Sequence, residues 1–433
     1  MSEMVQAIST SMDLTQYKAM SSGLKIHKHS LQPENRTELR MNRGENSDLY
    51  FSIHARPNSF INGQNTHLSY NYAYTGTSAE ATTAENCNGT SNFIRGLETL
   101  AGSTSLENLQ NYNVLSATLD DISSAERGKT LGSILQDKST THIKRGFARS
   151  VFPVSGSTPA HTPRRVCVPL LSSVIGVNAE NYFPVGRDVG LRLRLTFDDP
   201  VNCLQLSKAV GGAGIGYVLT DITLEIEYVE VSPQIYQTIA NEADGVFKVS
   251  GVGIANFTNT IAGGAMSQSL LIPARYSSVR NFLTINRLQS VINNEVKNTL
   301  GGRTRDFITS YQYRIAGTPY PNLPVSCDGN TSAEALVEVI KSFHGHADLN
   351  MHVCFDRDDY IKSTEDGAFV FGIDFEEAGF SAKQLSGVNT TSGNVFLELG
   401  YSEAARPTVV DTFAFYDQII EVDSRTGEVS ISK

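Results

Sequence analysis

The chain has 433 residues, 40% hydrophobic and 18% charged, with a net charge of −10; that length accommodates two or three domains, each with its own core. The acidic balance excludes a surface devoted to gripping phosphate backbones. Residues 1–45 mix Lys18, Lys25, Lys28, Arg36, Arg40 and Arg43 with Glu3, Asp13, Glu34, Glu38 and Glu45, so no basic arm is present either.

Residues 1–47 lack strong periodicity and read as an arm. From Leu49 the pattern is strand-like: Leu49, Phe51 and Ile53 oppose Tyr50, Ser52 and His54, and Pro-Asn and Asn-Gly turns come after them. A helical interlude is next. "SLENLQNYNVL" has apolar residues at helical spacing, and Ser123-x-x-Glu126 forms a capping box before "RGKTLGSIL". Strands resume at "RRVCVPLLSSVIGV". In "GLRLRLTFDDP", Leu191, Leu193, Leu195 and Phe197 lie on one side and Arg192, Arg194 and Thr196 on the other. "TDITLEIEYVEV" repeats the design, with Ile222, Leu224, Ile226 and Tyr228 inward and Thr223, Glu225 and Glu227 outward. If the two strands are neighbours, the outward Arg and Glu form cross-strand pairs.

"SPQIYQTIANEADG" reads as a connector halfway along. Beyond it the pattern starts again. "IHARPNS" (Ile53–Ser59) resembles "IPARYSS" (Ile272–Ser278), and "GVN" occurs at Gly176–Asn178 and at Gly387–Asn389, each pair about 210 to 220 residues apart. Each GVN precedes an alternating strand, "GLRLRLTF" and then "NVFLELGY", and the second half carries its own helix, "TSAEALVEVIKSF", opened by Thr331-x-x-Glu334. These features point to a duplicated all-β domain. Val249 to Ala274 has no charged residue, yet Asn256, Thr258, Asn259, Thr260 and Pro273 interrupt it, so strand and loop are expected there and not a membrane span.

Several stretches imitate active sites. Gly128-Lys129-Thr130 ends like a phosphate-binding loop, but Ser123 stands where the motif needs Gly. "VGGAGIGYVL" lacks the dinucleotide spacing and runs into a strand. His344, His346, His352, Cys354, Asp356, Asp358 and Asp359 crowd together, with no zinc or calcium spacing among them. Glu376-Glu377 reads as a solvated acidic pair. No nucleophile elbow and no H-E-x-x-H occurs. No catalytic, cofactor-binding or metal residue is assigned, and no enzyme activity is expected.

Cys87, Cys167, Cys203, Cys327 and Cys354 contain no C-x-x-C pair, which argues against a disulfide framework and for a reducing assembly site. The N-terminal stretch lacks a signal-peptide pattern, so the sequons at Asn35, Asn88, Asn256, Asn330 and Asn389 are expected to stay unglycosylated.

Two β-rich halves, a helical excursion in each, and the blocks "YQYRIAGTPYPNLPV", "FVFGIDFE" and "SGVNTTSGNVFLEL" resemble the double jelly-roll major capsid proteins of tailless icosahedral DNA viruses. The relatives in view belong to virophages and polinton-like viruses and, further off, to the adenovirus-hexon-like lineage and membrane-containing phages. The similarity runs from residue 48 to residue 433. It implies an all-β fold of two tandem eight-stranded jelly-roll barrels with short helices in the loops. The divisions are then an N-terminal arm (1–47), a first jelly roll (48–233), a linker (234–248) and a second jelly roll (249–433). It further implies a structural protein of the virion, assembled inside the host cell as a pseudo-hexagonal homotrimer. Its partners would be neighbouring capsomers, penton and minor capsid proteins and an internal membrane, with no cofactor and no sequence-specific nucleic-acid binding. Arg192, Arg194, Glu225 and Glu227 would lie on barrel exteriors.

Two other readings stand beside it. One is a single jelly-roll shell protein with a projecting β-domain, from a small RNA or single-stranded DNA virus; such proteins package by a basic arm, which this chain lacks. The other is a receptor- or carbohydrate-binding β-sandwich, whose stacking aromatics would come from 17 Tyr and 20 Phe, since Trp is absent.

Overall fold

Alternation decides the local structure. Leu191, Leu193, Leu195 and Phe197 are buried in strand Leu191–Phe197, and the residues between them stay partly or fully exposed. The computed structural model describes residues 24–75, 83–86, 90–122, 152–153, 163–186, 190–206, 215–344, 355–375 and 387–433.

In the first half, one long sheet contains β1 (Leu24–Leu31), β2 (Leu39–Asn42), β4 (Ser59–Tyr74), β9 (Arg164–Pro169), β10 (Phe183–Pro184) and β13 (Gly216–Val231). A shorter sheet faces it, in the order β3 (Ser47–Ile53), β11 (Leu191–Phe197), β6 (Ile94–Ala101), β7 (Thr104–Gln110). Loop strands β5 (Thr83–Asn86), β8 (Phe152–Pro153) and β12 (Leu204–Leu206) form a small third sheet.

In the second half the long sheet runs β14 (Val246–Ile261), β21 (Thr408–Asp423), β16 (Val279–Leu288), β19 (Val370–Asp374), with β22 (Val429–Ser432) added to β21. Its short sheet runs β15 (Ser267–Ile272), β20 (Val395–Tyr401), β17 (Ile308–Ile315), β18 (Thr318–Ser326). Counted from β14 to β21, the strands lie in orders 1-8-3-6 and 2-7-4-5, two interlocked Greek keys closing an eight-stranded jelly roll. The first half has the same order once β1 with β2, and β9 with β10, are each taken as one interrupted strand. The described pairings are antiparallel, and the leucines, valines and aromatics of the facing sheets meet in the barrel interiors.

Five α-helices among the described residues punctuate the barrels: α1 (Tyr112–Ile122), α2 (Pro200–Cys203), α3 (Pro233–Glu242), α4 (Ala333–His344) and α5 (Arg357–Tyr360). α1 follows β7 and α4 follows β18, the same place in each barrel. No described helix is long and apolar enough to cross a membrane; the uncharged stretch from Val249 forms β14 and β15.

Three local expectations need correction. Residues 24–42, read as arm, supply β1 and β2, which pair with β13 over Leu24↔Val231 to Leu31↔Leu224 and Leu39↔Leu219 to Gly216↔Asn42. β1 is an edge strand with one neighbour, so Lys25, Lys28 and Ser30 stay exposed and blur its periodicity. Ser105–Gln110 is strand, not helix, because it pairs with β6; the helix begins at Tyr112. The strand read over 164–177 ends at Pro169. Between the halves the connector stretch forms α3: Ser232 accepts from the Ile235 N–H as N-cap, Pro233 starts the helix, and β14 begins at Val246. The Ser123/Glu126 capping box and the Gly128-Lys129-Thr130 stretch lie outside the described residues.

Cys327, at the end of β18, is fully buried, and burial pushes its thiol up to about 12. The thiol is therefore neutral in the folded chain at pH 8 to 9. A raised folded value adds stability below the ordinary value of 9.0 and loses it as pH climbs from there toward 12. Iodoacetamide at pH 8.5 is expected to modify Cys327 only after unfolding, as peptide mass spectrometry with and without urea would show; equal labelling in both would contradict its burial.

Candidate assembly interface

The two barrels meet along a polar seam that begins at β7. Glu107, buried in that strand, accepts from Thr99 Oγ1 (2.5 Å), the Ser173 N–H (2.8 Å), Ser173 Oγ (2.9 Å) and Ser172 Oγ. This carboxylate shapes the loop after β9, which then lies on β14: Ala179 bridges to Gly251, and Asn181 Nδ2 donates to Ser250 Oγ at 2.7 Å. A Cβ on Gly251 would sit 2.9 Å from the Ser173 carbonyl oxygen, so only glycine admits so close an approach. Glu180 on the loop pairs with Arg280 (3.2 Å), whose Nε also donates to Asp417 (2.6 Å).

The turn between β7 and α1 supplies a second anchor. Asn111, at φ 51°, donates from Nδ2 to Asp411 Oδ1 at 2.9 Å. Asp411 is fully buried and also accepts from Thr258 Oγ1 (2.7 Å) and the Arg287 guanidinium (2.8 Å). Alternation puts Leu283, Ile285 and Phe413, all at 0% exposure, on the same outward face as Arg287 and Asp411. The outer face of this sheet is therefore a second core, shared with the first barrel.

A third anchor is a buried ion pair. Arg303, fully buried between β16 and β17, reaches Asp121 Oδ2 at 2.5 Å and Thr118 Oγ1 at 3.2 Å on α1. Farther out, Arg43 pairs with Glu295 (3.0 Å), and the Leu206 N–H donates to the Glu295 carbonyl (2.6 Å). α1 is consequently buried almost all round, with Tyr112 to Thr118, Asp121 and Ile122 covered. No local sequence signal marks these partners, because each pair joins residues far apart in the chain.

The outward arginines of β11 find partners on the neighbouring strands of their sheet and, for Arg192, also at Glu34 between β1 and β2. Arg194 bonds Asp48 on β3 (2.8 Å) and Glu98 on β6 (3.4 Å); Arg192 lies 4.5 Å over the Tyr50 ring and 3.5 Å from Glu34. Burial opposes ionisation of Asp48, but hydrogen bonds from Thr196 and Arg194 outweigh it and hold the carboxyl below its usual range. Glu225 and Glu227 belong to the other sheet, so the conditional Arg–Glu cross-strand pairing does not form. Glu227 instead accepts from Asn62 (2.8 Å) and Asn65 (2.9 Å), and Glu225 from Ser30 (2.5 Å).

The sequences that imitate active sites gain nothing from the fold. Residues 345–354, with His346, His352 and Cys354, and Glu376-Glu377 lie outside the described residues. Asp356 caps α5 by accepting from the Asp359 N–H (3.0 Å). Among the described residues no three His, Cys, Asp or Glu side chains are grouped to hold a metal. A cleft of about 770 Å³ is lined by Lys297, Lys362 and Arg406. Each of these cations already pairs with a carboxylate, of Glu365, Asp366 and Asp306 respectively, which leaves the cleft poorly suited to an anion.

Compared by sequence, the chain matches no family model and no curated protein. Solved structures do match. The VP54 protein of PBCV-1, a crystal structure fitted into a reconstruction of the virophage Sputnik, has a TM-score of 0.59 at 12% identity, covering 95% of this chain and 97% of that one. The Faustovirus major capsid protein gives 0.55 at 9% identity over 92% and 90% of the two chains. The mavirus major capsid protein gives 0.52 at 9% identity over 95% and 90%. With both barrels, their shared strand order and this likeness over nearly the whole chain, the protein has the double jelly-roll fold.

Proposed function

We propose that this chain is a viral major capsid protein that assembles as a homotrimer, presents six similar barrels as a pseudo-hexagonal tile, and builds an icosahedral shell around a DNA genome in the virion. The observation that carries the reading is the near-complete coverage of both barrels by capsid proteins of the same fold. A rigid seam also supports it, since a tile needs its two barrels at one fixed angle. The role is structural and non-enzymatic. On this reading the partners are neighbouring capsomers, penton and minor capsid proteins and, beneath the shell, a membrane. The division into units is a first barrel up to Val231, a bridging α3, and a second barrel from Val246.

Light scattering of the purified chain, with negative-stain images of the same peak, tests the proposal. A mass about three times 47.1 kDa with a hexagonal outline is expected. A single-chain mass at every concentration would overturn the trimer, and binding on a glycan array would then favour the carbohydrate-binding reading.

A further inference from the structure

Beside Asn111, where the seam opens to solvent, both barrels line a cleft of about 280 Å³. The first barrel supplies Asn46, between β2 and β3, Arg95 on β6, and Asp199 and Asn202 at α2; the second supplies Arg287 and Asn293. Arg95 and Asn293 are exposed. A smaller cleft of about 200 Å³ shares Asn46 and Arg95 with it and extends along β6 to Glu98.

We propose that this cleft binds a neutral, hydroxyl-rich ligand one sugar unit in size. The site goes beyond a shell-building role and is independent of the number of chains in the assembly, because one chain supplies the whole lining.

Three observations point to that chemistry. First, the lining holds both a donor and an acceptor that the fold leaves open. Arg287 is buried, and its terminal nitrogens donate to the Thr299 carbonyl (3.0 Å) and to Asp411 (2.8 Å), but Nε meets no partner among the described residues. Asn202 Nδ2 donates to Asp198 (3.1 Å), whereas its buried Oδ1 accepts from none of the described residues. Burying such groups bare is costly. A hydroxyl, which donates once and accepts twice, answers both.

Second, Arg95 stands outside the regular ladder. Thr196 faces Gly96 and Phe197 faces Ile94, so Arg95 is the extra residue of a β-bulge, the device by which a strand re-aims a side chain. It lines both clefts and forms no ion pair among the described residues, unlike Arg194 on the next strand, which pairs with Asp48 and Glu98.

Third, the charges balance, with Arg95 and Arg287 against Asp198 and Asp199. The fold holds both carboxylates in place, Asp198 through Asn113 Nδ2 (2.7 Å) and Asp199 through the Gly44 N–H (2.6 Å). They repel an acidic ligand as the arginines repel a basic one, which favours neutral hydroxyls. Val114, Ile292 and Leu300 add an apolar patch for the C–H face of a ring. The volume lies near the lower end of small-molecule sites, about 300 Å³, and so suits one ring and not a chain. No aromatic side chain is among the described residues of the lining, so a single unit is held weakly, with a Kd on the order of 1 mM.

Saturation-transfer NMR of the full chain tests the site, with the methyl glycosides of glucose, galactose and mannose as probes and N-acetylneuraminic acid as the acidic comparison. At least one neutral glycoside is expected to give a signal, and the acidic sugar none. Arg95→Ala and Asn293→Gly are expected to weaken binding about tenfold or more with the thermal melt unchanged, since Arg95 has no ion pair to lose and glycine keeps the positive φ (57°) of Asn293. Arg36→Ala, exposed and outside the lining, is expected to bind like the parent. A glycan array separates a free sugar from the end of a glycan chain: array binding without a monosaccharide signal, lost in Arg95→Ala, would assign the ligand to the chain end. No binding in either assay, binding that survives both variants, or a preference for acidic sugars would overturn the proposal. The solution mass is measured separately, so a failed site leaves the trimer standing and a failed trimer leaves the site standing.

Discussion

Asp121→Leu is expected to lower the unfolding free energy by about 3–5 kcal/mol, the usual cost of leaving one member of a buried ion pair without the other. Arg303 is fully buried and its guanidinium reaches Asp121 at 2.5 Å, with Thr118 as a second acceptor. Removing the carboxylate strands a cation between the barrels where water does not reach. The double variant Arg303→Met with Asp121→Leu is expected to regain most of that loss, since an apolar pair of similar volume avoids the desolvation cost altogether. Urea titrations of the parent, both single variants and the double variant give the coupling energy as a cycle. A loss below about 1 kcal/mol in Asp121→Leu would match an exposed pair and would mean that the seam is wet.

This placing of charge bears on how the two barrels are held at one angle. Each apolar contact between the barrels tolerates some sliding. The bonds of Asn111 to Asp411 and of Arg303 to Asp121 cross between the barrels and form in only one relative position, and Arg287 and Thr258 hold Asp411 in place for its part. Hydrophobic burial at Leu283, Ile285 and Phe413 stabilises the pair of barrels, and the polar network fixes their angle.

Much of the fold was legible because a half-buried strand displays its environment. The alternation in β11 and β13 gave core faces that the structure buries at Leu193, Leu195, Leu224 and Ile226. The Ile53–Ser59 and Ile272–Ser278 match was informative, as each segment leads from the end of the second strand to the start of the third in its barrel. The GVN match was not. Val388 bridges to Val279 in its own barrel, whereas the loop holding Val177 docks on the other barrel through Ala179 and Gly251. β1 was missed because an edge strand exposes both charged and apolar residues. The partners of Arg192 and Arg194 were missed because alternation says which way a side chain points, not which strands lie beside it. The seam was invisible for the same reason: Arg303 and Asp121 are single charges with nothing local to announce them.

Phe247→Ala is the second large effect expected, a loss of about 3–5 kcal/mol as for other buried Phe to Ala changes. Phe247 opens the second barrel and is fully buried against Phe60 of the first (5.9 Å between ring centroids) and Tyr236 of α3 (5.6 Å). Phe60 and Tyr236 are themselves 5.7 Å apart, so the three rings clamp α3 between the barrels. Gly186 makes room for the clamp, since a Cβ there would lie 2.5 Å from the Tyr236 hydroxyl. Emptying the centre of this cluster removes apolar contacts from both barrels at once and leaves the seam at β7 and α1 to hold them. Calorimetry is therefore expected to show the parent's joint transition separating into two, one per barrel, while Phe247→Leu costs less than about 1.5 kcal/mol and keeps them together. A Phe247→Ala variant that melts in one step at the parent's midpoint would show that the rings merely fill space and that the seam suffices to couple the barrels.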